Sequence, residues 1–97
     1  METVEMPTLK EATTYARQQA NWLGTQIDFC DKWVTKDHDY HQHIYSYLQH
    51  MYEHINDAAI AISRGINQRP WRAAYDDAMN NYEMDKRGFL LIAESAL

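Results

Sequence analysis

The stretch IYSYLQHMYEHINDAAIAI, residues 44–62, decides the fold. Its apolar residues recur at intervals of four and three, and an α-helix brings positions at that spacing onto one face. The pattern therefore predicts an amphipathic helix that buries this face against other helices. The predicted core stripe consists of Ile44, Leu48, Met51, Ile55, Ala58 and Ile62.

The ends of this helix are marked by residues with special backbone roles. Asp39 suits the N-cap position because Gln42 follows three residues later, and Asp37 is the alternative cap. Gly65 suits the left-handed position that commonly follows a helix. We therefore predict a helix over residues 39–64.

An earlier helix is predicted over residues 8–36. Thr8 and Glu11 match the capping-box pattern at its start. The apolar periodicity runs through Gly24 with its phase unchanged, so we expect one continuous helix; a first, shorter helix that ends at Gly24 is the alternative. Its core stripe is Leu9, Ala12, Ala16, Ala20, Leu23, Ile27, Cys30 and Val34, with Tyr15, Trp22 and Phe29 as a second column beside it.

A third helix is predicted over residues 70–95. Pro70 suits the first turn of a helix, where its missing N–H group costs nothing. Asp85 interrupts the apolar stripe of this helix. The members of the stripe are Trp71, Tyr75, Ala78, Tyr82, Phe89, Ile92 and Ala96.

Three helices with short connections predict an all-α fold. We expect an elongated three-helix bundle, or a long helical hairpin with a third helix beside it. Residues 1–7 are predicted to form a flexible N-terminal tail, and residues 8–97 a single helical domain. A chain of this size has a thin core, so a homodimer or a larger partner would add stability.

The composition excludes several classes of protein. Nine basic against fourteen acidic residues give a net charge of −5, which disfavours direct binding to nucleic acid. No apolar run reaches the roughly 20 residues that a membrane span needs. No signal-peptide pattern opens the chain, which favours a cytoplasmic protein. Cys30 is the single cysteine, which excludes an internal disulfide.

All five histidines fall within residues 38–54. His50 and His54 are four residues apart, a spacing at which two side chains on one helix can share a metal ion. His43 lies on the same strip but about 10 Å from His50 along the helix, too far to join them. His38 and His41 complete the set, and protonation of all five would bring the net charge from −5 to 0.

The five residues His50-Met51-Tyr52-Glu53-His54 also match the H-x-x-E-H pattern. This string resembles the inverzincin metalloprotease signature, in which two histidines hold zinc and the glutamate activates water. Only 97 − 54 = 43 residues follow His54, whereas such enzymes are larger and take another ligand from a distant part of the fold. We therefore expect no catalytic activity from this string.

Tyrosine and tryptophan are more numerous than a thin bundle needs, with seven and three copies. Tyr40 and Tyr47 lie on one flank of the predicted core stripe of the second helix. Tyr45 and Tyr52 lie on the other flank, seven residues apart. Because such residues are common at interfaces, we expect at least one flank to face a partner.

The connection between the second and third helices, residues 64–72, contains three arginines, a proline and a tryptophan. Arginine and tryptophan are frequent hot-spot residues, so this connection is a candidate docking site. The alternative is a basic cap that complements the end of the helix dipole. After this connection we expect an acidic face on the third helix, formed by Asp76, Asp77, Glu83 and Asp85.

In size, in helical character and in the position of Pro70 between two helices, the chain resembles small helical accessory proteins with which bacteriophages redirect host machinery. Among these, it is similar to the family of the second anti-RecBCD protein of lambdoid phages. The resemblance implies binding to a host nuclease–helicase complex of DNA repair, without enzymatic activity. It also implies that a host prolyl isomerase acts at Pro70, and that Arg69 to Arg72 and the exposed tyrosines dock the partner.

We therefore expect a non-enzymatic protein-interaction module that inhibits or modulates a larger complex. One alternative is a helical bundle that binds a divalent metal such as zinc through His50 and His54. A second alternative is an acidic mimic of nucleic acid. The predicted partner-binding residues are Tyr45, Tyr52, Arg64, Arg69, Pro70, Trp71 and Arg72.

Overall fold

The computed structural model describes the backbone of residues 8–33 and 38–96 and the side chains of residues 8–31 and 43–93. In these residues three helices follow one another: α1 (Leu9–Trp33), α2 (His38–Ile66) and α3 (Arg72–Ala96). Helix α2 packs against both α1 and α3 and is therefore the central element. The predicted all-α three-helix bundle is confirmed. The predicted tail at residues 1–7 lies outside the described residues.

Helix α2 supplies the most continuous part of the core. All six residues of its predicted stripe are buried, together with Ala61. Helix α1 contributes smaller side chains, because Ala12 and Ala16 stand where a larger residue would separate the helices. Ala20 was predicted in this core but is exposed, because it lies at the edge of the buried face. Val34 lies outside the described residues.

Helices α1 and α3 meet through long side chains. In the described residues no Cα atoms of the two helices lie within 8 Å of each other. The ring of Trp22 meets the ring of Phe89 edge to face, with centroids 6.0 Å apart. Tyr82, which is completely buried, also reaches from α3 to α1. Aromatic side chains therefore fill the space that the small residues of α1 leave open.

The N-terminal end of α1 is capped by Thr8. The backbone N–H of Glu11 donates to the Thr8 hydroxyl oxygen at 3.2 Å, as the capping-box pattern predicts. The Thr8 hydroxyl in turn donates to the Glu11 carboxylate at 3.1 Å. From this cap α1 runs through Gly24 without a break.

The starts of α2 and α3 differ from the predicted positions by one or two residues. Asp39 is not the N-cap of α2, because the helix already includes His38; the alternative cap, Asp37, lies outside the described residues. Helix α3 begins at Arg72, two residues after Pro70. Its first helical bond runs from the N–H of Tyr75 to the carbonyl of Trp71 at 3.0 Å, so Trp71 is the N-cap.

The end of α2 corrects the predicted role of Gly65. Gly65 lies inside the helix, and the left-handed residue is Gln68, with φ of 61°. The N–H of Gln68 donates to the Gly65 carbonyl, and the N–H of Arg69 donates to the Arg64 carbonyl. These two bonds form a Schellman motif with Gln68 at its left-handed position.

Gly65 is needed for close packing instead. A Cβ atom at this position would lie 2.7 Å from Leu9 Cδ1 and 2.8 Å from Trp71 Cδ1. Sequence spacing shows that a glycine is near a helix end, but it does not show that two neighbouring side chains occupy the space of its missing Cβ. The glycine therefore lets α1 and the start of α3 approach the end of α2.

Replacing Gln68 with glycine is expected to raise the free energy of unfolding by about 0.5–1 kcal/mol. Glycine adopts the left-handed conformation without the steric cost that a Cβ atom brings. Gln68 makes no side-chain hydrogen bond among those of the described residues, so the change removes little else. Urea unfolding of the two proteins measures the difference, and an unchanged or lower midpoint for Gln68→Gly would contradict it.

Candidate protein-interaction site

The α2–α3 turn, which we define as residues 64–72, forms one end of the bundle. Arg64, Ile66, Arg69 and Pro70 are exposed there. Ile66 is 68% exposed and is the apolar residue that the turn presents to solvent. The Schellman motif fixes the backbone beneath these side chains. The turn therefore presents an apolar residue and two arginines on a rigid support.

Trp71 anchors this turn to the bundle. Its ring fills the space beside Gly65 and meets the ring of Tyr75 with centroids 5.5 Å apart. The Arg72 guanidinium lies over the Trp71 ring, 5.2 Å from its centroid, in a cation–π contact. Trp71 and Arg72 are half-buried, so they support the exposed part of the turn and add one edge to it.

A shallow groove of about 300 Å³ continues from the turn along α2 and α3. Small apolar side chains and polar side chains line this groove together, and its rim carries charges of both signs. Arg64 belongs to both the turn and the groove, so the two features form one surface. An open groove of this size accommodates a few side chains of a protein partner. The lining residues are Asp57, Ile60, Ala61, Arg64, Ala74, Asp77, Ala78 and Asn81.

The predicted tyrosines do not join this surface. Tyr52 is 62% exposed and Tyr45 is 37% exposed, but both lie on the flank of α2 that points away from α3. Tyr52 is also about 20 Å from Gly65 along the helix. The opposite flank is occupied by α3, because Tyr47 packs on Gly88. The structure thus separates the seven predicted partner-binding residues into two surfaces.

The histidine strip of α2 faces α3 in part. His54 donates from Nε2 to the Asp85 carboxylate at 3.0 Å, and both side chains are about three-quarters buried. This pair explains why an acidic residue interrupts the apolar stripe of α3. His50 is exposed, and His43 meets the ring of Tyr47 edge to face. The side chains of His38 and His41 lie outside the described residues.

The predicted metal site at His50 and His54 gains no further ligand. Among the described residues no group of three or more histidine, cysteine or carboxylate side chains is placed to hold a metal ion. Asp85 lies beside His54 and takes the hydrogen bond of its Nε2 atom. Glu53, the glutamate of the H-x-x-E-H string, is exposed. Zinc binding by this pair remains a prediction.

The predicted acidic face of α3 is altered at Glu83 and Asp85, whose carboxylates are engaged by the other two helices. Glu83 accepts a hydrogen bond from the Tyr15 hydroxyl of α1, whereas Asp85 pairs with His54 of α2. Residues 83 and 85 are two positions apart, which corresponds to about 200° around the helix axis. Their carboxylates therefore point to opposite sides of α3. Glu83 and Asp85 therefore lie at the two edges of the predicted face, and the four acidic residues form no dense array that would imitate a phosphate backbone.

A polar cluster joins α1 and α3 instead. The Tyr82 hydroxyl donates to Gln19 Oε1 at 2.6 Å, and Lys86 Nζ donates to the same oxygen at 3.0 Å. Lys86 Nζ also lies 4.8 Å from the centroid of the Trp22 ring. Burial raises the pKa of the Tyr82 phenol, so it stays protonated and keeps its donor role. The cluster serves to hold the helices together.

Two further groups are titratable but chemically unreactive at neutral pH. Burial, followed by the hydrogen bond to Glu83, raises the pKa of Tyr15 to about 12. Burial, followed by the charge of Asp31, raises the pKa of the Cys30 thiol. Cys30 therefore stays a thiol and acts as a small buried apolar residue, in agreement with its position in the predicted stripe.

Several exposed apolar residues were missed by the sequence reasoning. Ile60, Ile66, Met84 and Leu91 are about half exposed or more. All four lie outside the predicted core stripes, and this position could have predicted their exposure. An apolar residue away from the buried face of an amphipathic helix points to solvent. Ile66 is the member of this set that lies in the α2–α3 turn.

Comparisons with protein-family models, with curated proteins and with solved structures give no match for this chain. In the part of the chain that the structure describes, no helix is long and apolar enough to cross a membrane.

Proposed function

We propose that this chain is a non-enzymatic protein-interaction module that docks a larger protein complex through the α2–α3 turn. The observation that carries the proposal is the exposure of Ile66 between Arg64 and Arg69 on a turn with a fixed backbone. An apolar centre with arginines at its edge is the composition of an interface hot spot. A rigid backbone also limits the entropy that is lost on binding.

The chemistry of the described residues supports a binding role over catalysis. The polar side chains of the α1–α3 cluster are paired with one another, and the Cys30 thiol is buried. The groove beside Arg64 is open and shallow, which suits the side chains of a protein partner. The positive charge of the turn fits an acidic surface on that partner.

The resemblance to bacteriophage accessory proteins supplies the class of partner within this proposal. It points to a bacterial nuclease–helicase complex of DNA repair, with inhibition or redirection of that complex as the outcome. The Arg69–Pro70 peptide bond is trans and lies in the exposed turn, where a prolyl isomerase has access to it.

Reversing the charge of Arg69 is expected to weaken partner binding at least 10-fold, equivalent to about 1.4 kcal/mol. Arg69→Glu keeps the backbone bonds of the turn and replaces an exposed guanidinium with a carboxylate. Arg87→Glu is the matched control, because Arg87 is exposed on α3 away from the turn. Affinity capture from bacterial lysate with quantitative mass spectrometry identifies the partner, and titration with the purified partner gives the affinities.

We expect the wild-type protein and Arg87→Glu to retain the same stoichiometric complex, and Arg69→Glu to lose it. Equal retention by both variants would contradict docking through the turn. No complex retained by the wild-type protein would contradict the proposed function itself.

A further inference from the structure

Helix α1 carries a column of residues at steps of seven that changes from positive to negative along the chain. The column is Lys10, Arg17, Gly24 and Asp31, and Asp28 lies beside it. Steps of seven shift only about 20° around a straight helix, so these residues share one strip. The five residues are exposed, and none makes an ion pair in the described part of the chain. Their charges are therefore available to another molecule.

This strip lies on the face of the bundle opposite α3. Tyr15 and Trp22 contact α3, and Arg17 and Gly24 each follow two residues later, about 200° around α1. On α2, His54 contacts α3, and Tyr52, two residues earlier, lies about 200° away around the helix axis. The exposed strips of α1 and α2 therefore belong to one α1–α2 face.

The centre of this face carries only small side chains, so another helix can approach it closely. A Cβ atom built at Gly24 would meet nothing within 4 Å, so the space above this residue is open. Ala20, one turn earlier, is exposed and small. Small residues at the centre of a helix surface let a second backbone approach closely. Tyr52, whose ring is 62% exposed, lies on the α2 side of the same face.

We propose that two copies of this chain associate through the α1–α2 face, with their α1 helices antiparallel. The charge pattern selects both the occupant and the direction. A twofold axis between Ala20 and Asn21 places Lys10 opposite the partner's Asp31, since the two numbers lie equally far from the axis. The same axis places Arg17 opposite the partner's Gly24, within one turn of the partner's Asp28. Every attractive contact occurs twice, as in any isologous interface.

A parallel arrangement would instead oppose Lys10 with its own copy and Asp31 with its own copy. Like charges at such positions repel, so the pattern disfavours that direction. The antiparallel dimer also has a consequence for the α2–α3 turn. Leu9, at the start of α1, contacts the position of Gly65, so the turn lies at the N-terminal end of α1. The dimer would present two turns at its opposite ends.

The test uses two charge-reversed variants of the full chain. Lys10→Glu/Arg17→Glu makes the strip wholly acidic, and Asp28→Lys/Asp31→Lys makes it wholly basic. All four side chains are exposed, and circular dichroism verifies that each variant keeps its helices. Sedimentation equilibrium up to about 100 µM protein measures the association of each protein alone and of an equimolar mixture.

The wild-type protein is expected to form dimers, and each variant alone to dissociate at least about 30-fold more readily. The equimolar mixture is expected to form heterodimers, because an acidic strip then faces a basic one. Arg87→Glu is the control for a charge change elsewhere and should dimerise like the wild type. A monomeric wild-type protein at about 100 µM, or variants that dimerise unchanged, would overturn the proposal.

Cysteine crosslinking tests the direction independently. Asn21→Cys lies beside the axis and is expected to form an intermolecular disulfide under mild oxidation. Lys10→Cys should not, because an antiparallel pair separates the two copies of residue 10 by roughly 30 Å. The reverse result, crosslinking at residue 10 and none at residue 21, would overturn the antiparallel arrangement. None of these readouts depends on the partner of the α2–α3 turn.

Discussion

Replacing Tyr82 with alanine is expected to lower the free energy of unfolding by about 3–5 kcal/mol. Tyr82 is completely buried and is the largest such side chain in the described core. Its side chain connects α3 to α1. In the described residues the Cα atoms of these two helices lie more than 8 Å apart, too far for small side chains to make contact. Removal of the ring therefore leaves a cavity that the helices close only by moving together. A domain of this size has about 5–15 kcal/mol of stability, so the variant loses a large part of it.

The hydroxyl of Tyr82 accounts for the smaller part of this effect. Tyr82→Phe keeps the ring and loses the bond to Gln19, whose oxygen still accepts from Lys86. We expect a loss of about 0.5–1.5 kcal/mol for this variant. Urea unfolding followed by circular dichroism measures both. A loss below about 1 kcal/mol for Tyr82→Ala would show that the ring does not fill the space between α1 and α3.

Alanine at Gly88 and alanine at Gly24 are expected to change stability in opposite directions. A Cβ atom at Gly88 would lie 2.7 Å from Tyr47 Cε1, and an aromatic ring cannot move aside without disturbing its neighbours. We expect Gly88→Ala to lower the free energy of unfolding by about 1–2 kcal/mol. Gly24 has open space around it in the single chain, so in dilute, monomeric protein Gly24→Ala should raise the value by about 0.5–1 kcal/mol through helix propensity.

The same unfolding experiment compares the two glycine variants with the wild-type protein. The substitution is chemically identical at both positions, and both lie inside a helix, so the comparison isolates the effect of tertiary packing. A stabilising effect at both positions would show that Tyr47 does not pack against Gly88. A destabilising effect at Gly24 in dilute, monomeric protein would show that the space above α1 is not open in the single chain.

The helices themselves follow from the sequence because their periodicity is strong and local. The stripe of α2 predicted all six of its buried positions, and the Thr8 cap was visible as a short pattern. Ala20 failed at the edge of its stripe, where a small apolar residue is neutral between core and surface. The periodicity predicts which side of a helix is buried. It does not predict how many neighbouring positions around the helix are buried with it.

Features that depend on two helices together were not predictable from one segment. Gly65 was predicted to be the left-handed residue because it stands near the end of the stripe, yet the chain turns at Gln68. The pairing of Asp85 with His54 and of Glu83 with Tyr15 depends on the relative rotation of two helices. No local pattern records that rotation.

The candidate site was predicted in part. The clustering of arginines with Pro70 and Trp71 along the chain predicts a docking site at the α2–α3 turn, and the fold places Arg64, Arg69 and Pro70 on the surface of this turn. Ile66 was missed because Gly65 was predicted to end the helix. The seven predicted partner-binding residues form two surfaces, since helix geometry puts the tyrosines on the flank away from α3.

Site-specific photo-crosslinking in bacterial cells tests the proposed docking through the α2–α3 turn most directly. Ile66 and Met84 are each 68% exposed and apolar, so benzoyl-phenylalanine at either position perturbs the fold equally little. We expect a discrete crosslink from position 66 to a subunit of one complex and none from position 84. A crosslink to that complex from position 84, with none from position 66, would contradict docking through the turn.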